Sequence, residues 1–247
     1  MMKGKNIVIT GANRGMGKRL TETFAQNGAN VWACARKKND EFEAWLKKLA
    51  DLTGTWTKPV YFDMADDEEI KQAAKGILAE KEKISVLINN AGITYNALFQ
   101  MSSAEMNRQV MQINYFGPYL FTQYISKAMS RQRYGSIINI ASAAALDGNP
   151  GRSVYGASKA ALICMTKTIA EELGQYGVRA NAVAPGMIES EMLNQSMTEK
   201  NIEETLKRSI MKRLCKPEEV INPVLFLASD DSSYVTGQVI RVDGGAF

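Results

Sequence analysis

The sequence predicts an α/β fold, a doubly wound three-layer sandwich in which a seven-stranded parallel sheet lies between two layers of helices. Three observations carry this expectation. Short β-rich runs alternate with amphipathic stretches along the chain, a glycine-rich turn directly follows the first run, and 247 residues at 45% hydrophobic composition can bury one substantial core. Alternation of this kind is the pattern of parallel sheets covered by helices on both faces.

Taken in order, the strands are KNIVIT (5–10), NVWACA (30–35), KPVYFD (58–63), SVLINN (85–90), SIINIA (136–141), RANAVA (179–184) and QVIRV (238–242). Between most of them apolar residues recur at spacings of three and four, as in GKRLTETFAQNG, DDEEIKQAAKGILAEK and PEEVINPVLFLAS, which predicts helices. SVYGASKAALICMTKTIAEEL reads as a further helix beginning near Ser153. No internal repeat, low-complexity tract or linker divides the chain, so 1–247 is read as a single domain. The irregular region is 187–216, which adds helical pattern without a strand and holds Met187, Met192, Met197 and Met211. Flexible thioethers suit either an adaptable lid over a substrate cleft or ordinary core filling.

The 30 Lys and Arg against 26 Asp and Glu give a net charge of +4 and a pI near 8.8. The signs are interspersed, so the chain lacks the basic run of a nucleic-acid-binding tail. Cys34, Cys164 and Cys215 are far apart and form no CxxC pair, which suggests neither a disulfide framework nor a metal cluster. The amino-terminal apolar run is short for a signal peptide, and no segment has the 18 or more apolar residues of a membrane span. A soluble cytoplasmic protein is expected.

TGANRGMG (10–17) follows the first strand and opens a helix, the context in which glycines let a dinucleotide's pyrophosphate approach backbone N–H groups. The spacing is GxxxGxG, not GxGxxG. At the end of the second strand an acid would accept hydrogen bonds from the ribose hydroxyls and repel a 2′-phosphate. Here the strand ends ACARKK, placing Arg36 in that region, with Arg14 in the turn on the same side. Two guanidiniums can hold a phosphate dianion; two solvated surface arginines are the alternative.

Tyr155 and Lys159 stand four apart in a helical pattern, on one face, in a chain that has no histidine. A free phenol titrates near pH 10, so bringing it to neutrality takes about 4 kcal/mol. An ammonium about 5 Å away at an effective dielectric of about 20 supplies roughly 3 kcal/mol. A tyrosine tuned by a neighbouring cation can then act as the acid or base that histidine more often provides.

TGANRGMG, NNAG (89–92), Asn114, Ser142 in NIASAAA, Tyr155, Lys159 and PGMIESEM (185–192), with the ending QVIRVDGG, together resemble the short-chain dehydrogenase/reductase family over essentially the whole chain. The resemblance implies a Rossmann-like sheet of order 3-2-1-4-5-6-7 and hydride transfer between a nicotinamide and a carbonyl or alcohol. It implies that Tyr155 donates the proton, Lys159 lowers its pKa and holds the nicotinamide ribose, Ser142 hydrogen-bonds the substrate oxygen, and Asn114 holds a water that relays protons. From the residues alone, Ser142 also suits a strand-end turn and Asn114 a helix kink or cap. The contacts implied for NADP(H) are Gly11, Arg14, Gly15, Met16 and Gly17, with Arg36 at the phosphate and Asp63 and Met64 at the adenine. Asn90, Ala91 and Gly92 would lie beneath the ribose and nicotinamide, and Pro185, Gly186, Ile188 and Ser190 on the carboxamide side. Ser190 stands where threonine is common.

Within the family, DGNPG, NAVAPGMIESEM and VTGQVIRVDGG most resemble bacterial 3-oxoacyl-[acyl-carrier-protein] reductases of fatty acid biosynthesis. An acidic acyl-carrier protein implies basic residues beside the cleft. Arg133 matches one such position, while Tyr176 replaces a basic residue at the second, with Arg179 as a possible substitute. The resemblance also implies a homotetramer built on the Tyr155 helix, with an apolar face including Ala160, Met165 and Ile169. Reduction of another ketone or sugar, oxidation of a secondary alcohol, and a non-catalytic dinucleotide sensor are the other readings the sequence allows.

Overall fold

A computed structural model describes residues 2–189, 202–203, 206–207 and 209–245. Seven strands form one sheet: β1 (Asn6–Thr10), β2 (Asn30–Ala35), β3 (Thr57–Tyr61), β4 (Val86–Asn89), β5 (Gly135–Ile140), β6 (Val178–Pro185) and β7 (Val239–Val242). All pairings are parallel and the order is β3-β2-β1-β4-β5-β6-β7, as the resemblance implied. The long helices are α1 (Gly15–Gln26), α2 (Asp40–Thr53), α3 (Asp67–Ala79), α4 (Ala104–Met111), α5 (Gly117–Gln132), the short α6 (Ala144–Asp147), α7 (Ser153–Gly174) and α8 (Pro217–Ala228).

Strand periodicity sorts the core into two layers. Ile7 and Ile9 of β1 pack with Leu20 and Phe24 of α1 and Val220 and Val224 of α8 on one face of the sheet. Val8, between them in sequence, points the other way and joins Ile70 and Ile77 of α3 and Phe121 and Ile125 of α5. Both faces are covered, so the central strands are continuous apolar runs rather than alternating ones.

Helix starts follow local chemistry. Asn39 accepts from Phe42 N–H at 2.8 Å to open α2, and Asp66 caps α3 through Glu68 and Glu69 N–H, each at 2.9 Å. Pro223 lies inside α8, where burial of Val220, Ile221, Val224 and Leu227 holds the helix against the sheet despite the missing N–H.

Strand boundaries differ from the sequence expectation by a residue or two, for identifiable reasons. Asn90 leaves β4 because its N–H bonds Thr10 Oγ1 at 3.0 Å and its side chain bonds the Thr10 carbonyl at 2.9 Å. Gln238 lies outside β7, its N–H taken by Asn181 Oδ1 at 3.0 Å. β3, expected to run to Asp63, ends at Tyr61. It is an edge strand, the position that tolerates its Pro59.

Between α4 and α5 the chain makes a π turn, Gln112–Phe116, so that one helical run carries a bulge at Asn114. In the buried layer beneath, Asn89 donates to Thr122 Oγ1 and Asn139 Oδ1, and Asn139 donates to Thr166 Oγ1, tying α5, β4, β5 and α7 into one polar strut. No helix among the described residues is long and apolar enough to cross a membrane.

Candidate active site

The strand order reverses direction at β1 and β4, and a crevice at such a switch point, outside the carboxyl ends of the strands, is where open α/β sheets bind ligands. The segments expected to bind and react all emerge there: the turn after β1, Asn90–Gly92 after β4, Ser142 after β5 and Pro185–Ile188 after β6. They border a cleft of about 590 Å³.

The glycine turn fits a dinucleotide's phosphates. Gly17 is buried, and a Cβ there would run into the Gly11 carbonyl and the Asn90 side-chain amide. Only glycine lets the first turn of α1 pack this closely on β1. Gly15, at φ +52°, faces open space, and α1 has neither a side-chain cap nor an acid in its first turn. Its orphan N–H groups are therefore free to receive an anion. Thr10 pairs with Cys34 in the sheet register, so Arg14 and Arg36 leave neighbouring strand ends. Both are exposed, and no carboxylate among the described residues pairs with either. Met16 lines the cleft.

Asp63 is half-buried and accepts from Ala65 N–H at 2.9 Å, while Met64 is turned inward against the core near Phe121 and Gly117. The Met64 side chain is therefore core.

Asn90 and Ala91 are fixed by their N–H groups to Thr10 Oγ1, each at 3.0 Å. A Cβ on Gly92 would stand 3.1 Å from Asn114 Oδ1 and 3.3 Å from Lys159 Nζ, so the bare backbone is what leaves room for both side chains. Asn114 is fully buried. It accepts from Ile93 N–H at 2.8 Å and donates to the Ile93 carbonyl at 2.9 Å and to Ser158 Oγ at 3.0 Å. Both hydrogens of its amide are spent clamping residue 93 to α7, so its amide nitrogen has no donor left for a relay water. The π turn accords with the helix-kink reading of Asn114, and its side chain serves as the clamp between residue 93 and α7.

Tyr155 lies one turn before Lys159 on α7 and lines the cleft with Ser142, whose hydroxyl acts on the phenol. Ser142 Oγ also accepts from Ala144 N–H at 3.2 Å, which fixes it in the turn opening α6. Lys159 is buried and donates to the Ile140 carbonyl at 2.8 Å; burial pushes its ammonium down to about 8. Burial raises the Tyr155 phenol, opposed by the Ser142 hydrogen bond and by the charge of Arg152. This differs from the sequence expectation, in which Lys159 lowers the phenol. In the structure Lys159 is turned to a carbonyl and is itself desolvated, and the cation acting on Tyr155 is Arg152, centred 5.5 Å from its ring. Helical spacing is the signal for Arg152, which stands three residues before Tyr155.

On the far wall, a Cβ on Gly186 would meet Asp243 Cα at 2.9 Å, and Ile188 bridges to Cys215, with Cys215 N–H bonded to the Met187 carbonyl at 3.0 Å. The two ends of the expected 187–216 lid are thus joined, and Met187 and Met211 line the cleft. Ser190, Met192 and Met197, with half of that lid, lie outside the described residues.

The docking residues are placed differently from one another. Arg133 is exposed at the end of α5 and donates to the Gln175 carbonyl at 2.8 Å, which sets it beside Tyr176, itself 39% exposed. Arg179 is no substitute for a basic residue there. Its guanidinium is turned inward to the carbonyls of Leu227, Ser229 and Val235 at 2.9–3.2 Å and pins α8 to β6. Met165 is 5% exposed and Ile169 packs against the core, so of the expected intersubunit face these two are already largely spent within the protomer.

A seven-stranded parallel sheet with a glycine turn at its switch point and a Ser, Tyr and Lys set at one cleft defines an oxidoreductase of the short-chain dehydrogenase/reductase class, which works with a nicotinamide dinucleotide. The chain belongs to this family: a family model described as Enoyl-(Acyl carrier protein) reductase matches residues 11–246. Among curated proteins it is similar to the 3-oxoacyl-[acyl-carrier-protein] reductase FabG of Thermotoga maritima, 43% identical over 244 residues, covering 99% of this chain and 98% of that one. The FabG of Aquifex aeolicus is 37% identical over 247 residues, covering 100% and 98%. The 3-oxoacyl-[acyl-carrier-protein] reductase of Synechocystis is 38% identical over 239 residues, covering 96% and 95%.

Proposed function

We propose that this protein is an NADPH-dependent reductase of 3-oxoacyl thioesters, delivered on acyl-carrier protein in the cytoplasm. The observation that carries this is that Tyr155, Ser142 and Lys159 line one cleft together with Met16 of the glycine turn. Full-length similarity to proteins named 3-oxoacyl-[acyl-carrier-protein] reductases gives the substrate class.

The residues present fit the cofactor. The uncapped start of α1 and the Gly15 backbone would receive the pyrophosphate, Arg14 and Arg36 the 2′-phosphate, Asp63 the adenine, and Lys159 the nicotinamide ribose. Asn90, Ala91 and Gly92 would line the ribose, and Pro185, Gly186, Ile188 and Ser190 the carboxamide. When bound, the nicotinamide supplies the hydride. Tyr155 gives its proton to the carbonyl oxygen as negative charge develops there, and Ser142 donates a hydrogen bond to the same oxygen. The raised phenol keeps that proton in place at neutral pH. Lys159 lies one turn further along the helix and can return a proton toward Tyr155, with water near the Asn114 π turn as the outward path.

Arg133 offers one cation to an acidic carrier, with Tyr176 beside it. Losing one exposed ion pair costs only about 0.2–1 kcal/mol, so carrier preference should be modest. A homotetramer is supported by exposed apolar residues on the α4–α5 side, Phe99 at 82% and Phe116 at 51%, which a second copy would cover.

The test is kcat/KM with NADPH for one 3-oxoacyl chain carried on acyl-carrier protein and on a short pantetheine mimic. Both should turn over, with a carrier preference of less than about tenfold that falls in Arg133→Glu. No turnover of either thioester would overturn the reading.

A further inference from the structure

Arg152 is the cleft residue that the site's chemistry has not used. It is half-buried at the start of α7, with its guanidinium centred 5.5 Å from the Tyr155 ring and one hydrogen bond, to Thr94 Oγ1 at 2.7 Å. Among the described residues no carboxylate lies within ion-pairing distance of it. The neighbouring charges are already matched: Arg241 with Asp147 at 2.8 Å, and Arg213 with Glu219 at 2.7 Å. Lys159, the other lone cation, is turned to the Ile140 carbonyl on the cofactor side.

A guanidinium carries five N–H donors in a fixed fork, and Thr94 takes one of them. Holding such a group half out of water with a single acceptor is costly, and burial does push Arg152 below its usual value. The tie needs no arginine for its own sake, because Ala97 N–H already bonds the Gly151 carbonyl at 3.0 Å and joins the same two loops. Arg152 lines the same cleft as Tyr155 and Ser142, where a ketone would have to bind to meet the phenol.

We propose that Arg152 is a specificity residue that binds a second oxygen of the substrate, two carbons from the ketone that Tyr155 protonates, and so selects β-dicarbonyl compounds over simple ketones. The inference rests on the proton-donor reading of Tyr155. A thioester carbonyl and a free carboxylate both present such an oxygen. Thr94 holds the guanidinium in place, with its hydroxyl accepting from one nitrogen.

The experiment compares Arg152→Met with the parent protein on three probes: acetoacetyl-pantetheine, acetoacetate, and trifluoroacetophenone, an activated ketone without a second oxygen. Taking the variant-to-parent ratio of kcat/KM for each probe removes their differing reactivity. A charged hydrogen bond to substrate is expected to be worth about 10- to 100-fold. The ratio should therefore fall at least tenfold further for the better dicarbonyl probe than for the monoketone. The parent's preference between thioester and free acid identifies which oxygen is read. Arg152→Lys should keep the charge but recover little of the selectivity, because it lacks the fork. NADPH binding by Arg152→Met, followed by fluorescence, checks that the cleft is intact.

An equal fall on all three probes, with the alkaline limb of the pH profile displaced, would overturn the inference and leave Arg152 acting only through Tyr155. An undiminished dicarbonyl rate would overturn it outright. Failure of the parent protein on every probe would remove the reductase reading and this inference with it, an outcome distinct from both.

Discussion

Replacing Lys159 by methionine is expected to stabilise the cofactor-free protein while abolishing its activity. The ammonium is 4% exposed and burial pushes it down to about 8, whereas an unfolded lysine titrates near 10.4. Keeping it charged inside the folded chain at neutral pH therefore costs about 3 kcal/mol. Methionine is unbranched, of similar length, and adapts to the same space. It cannot donate to the Ile140 carbonyl, and leaving that acceptor unpaired returns about 1–2 kcal/mol of the gain. The net expectation is about 1–2 kcal/mol of added stability at pH 7. Its pH dependence is diagnostic. Because the folded value lies below the unfolded one, the unfolded chain binds more protons between about pH 8 and 10.4, and parent stability rises across that window. The advantage of Lys159→Met is full below about pH 8 and shrinks toward about pH 10.4. Urea unfolding of both proteins, at equal concentration without cofactor, measures it at about pH 7 and about pH 9.5. A variant less stable than the parent at neutral pH, or an advantage of equal size at both values, would refute the reasoning.

Arg36→Asp should narrow or reverse the preference for NADPH over NADH, since it removes a phosphate donor and adds an acceptor for ribose hydroxyls; equal Kd values for both cofactors in the parent would sink the phosphate assignment. Gly92→Ala places a methyl 3.1 Å from Asn114 Oδ1 and 3.3 Å from Lys159 Nζ. It should lower kcat/KM at least tenfold while costing about 1–3 kcal/mol of stability, and unimpaired kinetics would show that the approach is not needed. Arg179→Met should destabilise the fold by roughly 1–3 kcal/mol by removing the three hydrogen bonds that pin α8 and the loop beyond it to β6, with no change in carrier preference; a changed preference at unchanged stability would return Arg179 to the docking surface.

Most of the fold was legible because periodicity records burial directly: β1 is apolar on both faces and β3, with its Pro59, sits at an edge. Strand ends were less so, because side chains distant in sequence set them. Asn90 leaves the sheet for Thr10, and Gln238 is held by Asn181. In the site, residue identity and order led to Ser142, Tyr155 and Lys159, but not to the direction of the lysine, which depends on the Ile140 carbonyl from another strand. The inward turn of Arg179 was equally hidden, since three carbonyls from α8 and the loop beyond it decide it. Met165 and Ile169 lie on a helix that is apolar over much of its surface, and nothing local distinguishes a face covered by this chain from one covered by another copy.

The central claim is that the Tyr155 phenol is the proton donor in a carbonyl reduction, and Tyr155→Phe tests it most directly because the change removes one oxygen and little volume. The measurement is NADPH oxidation with a 3-oxoacyl thioester, paired with NADPH Kd for the same two proteins. The account predicts that kcat falls at least about 100-fold, within the range that general acid catalysis contributes, while Kd stays within about threefold. Retention of more than about a tenth of the parent rate would contradict it.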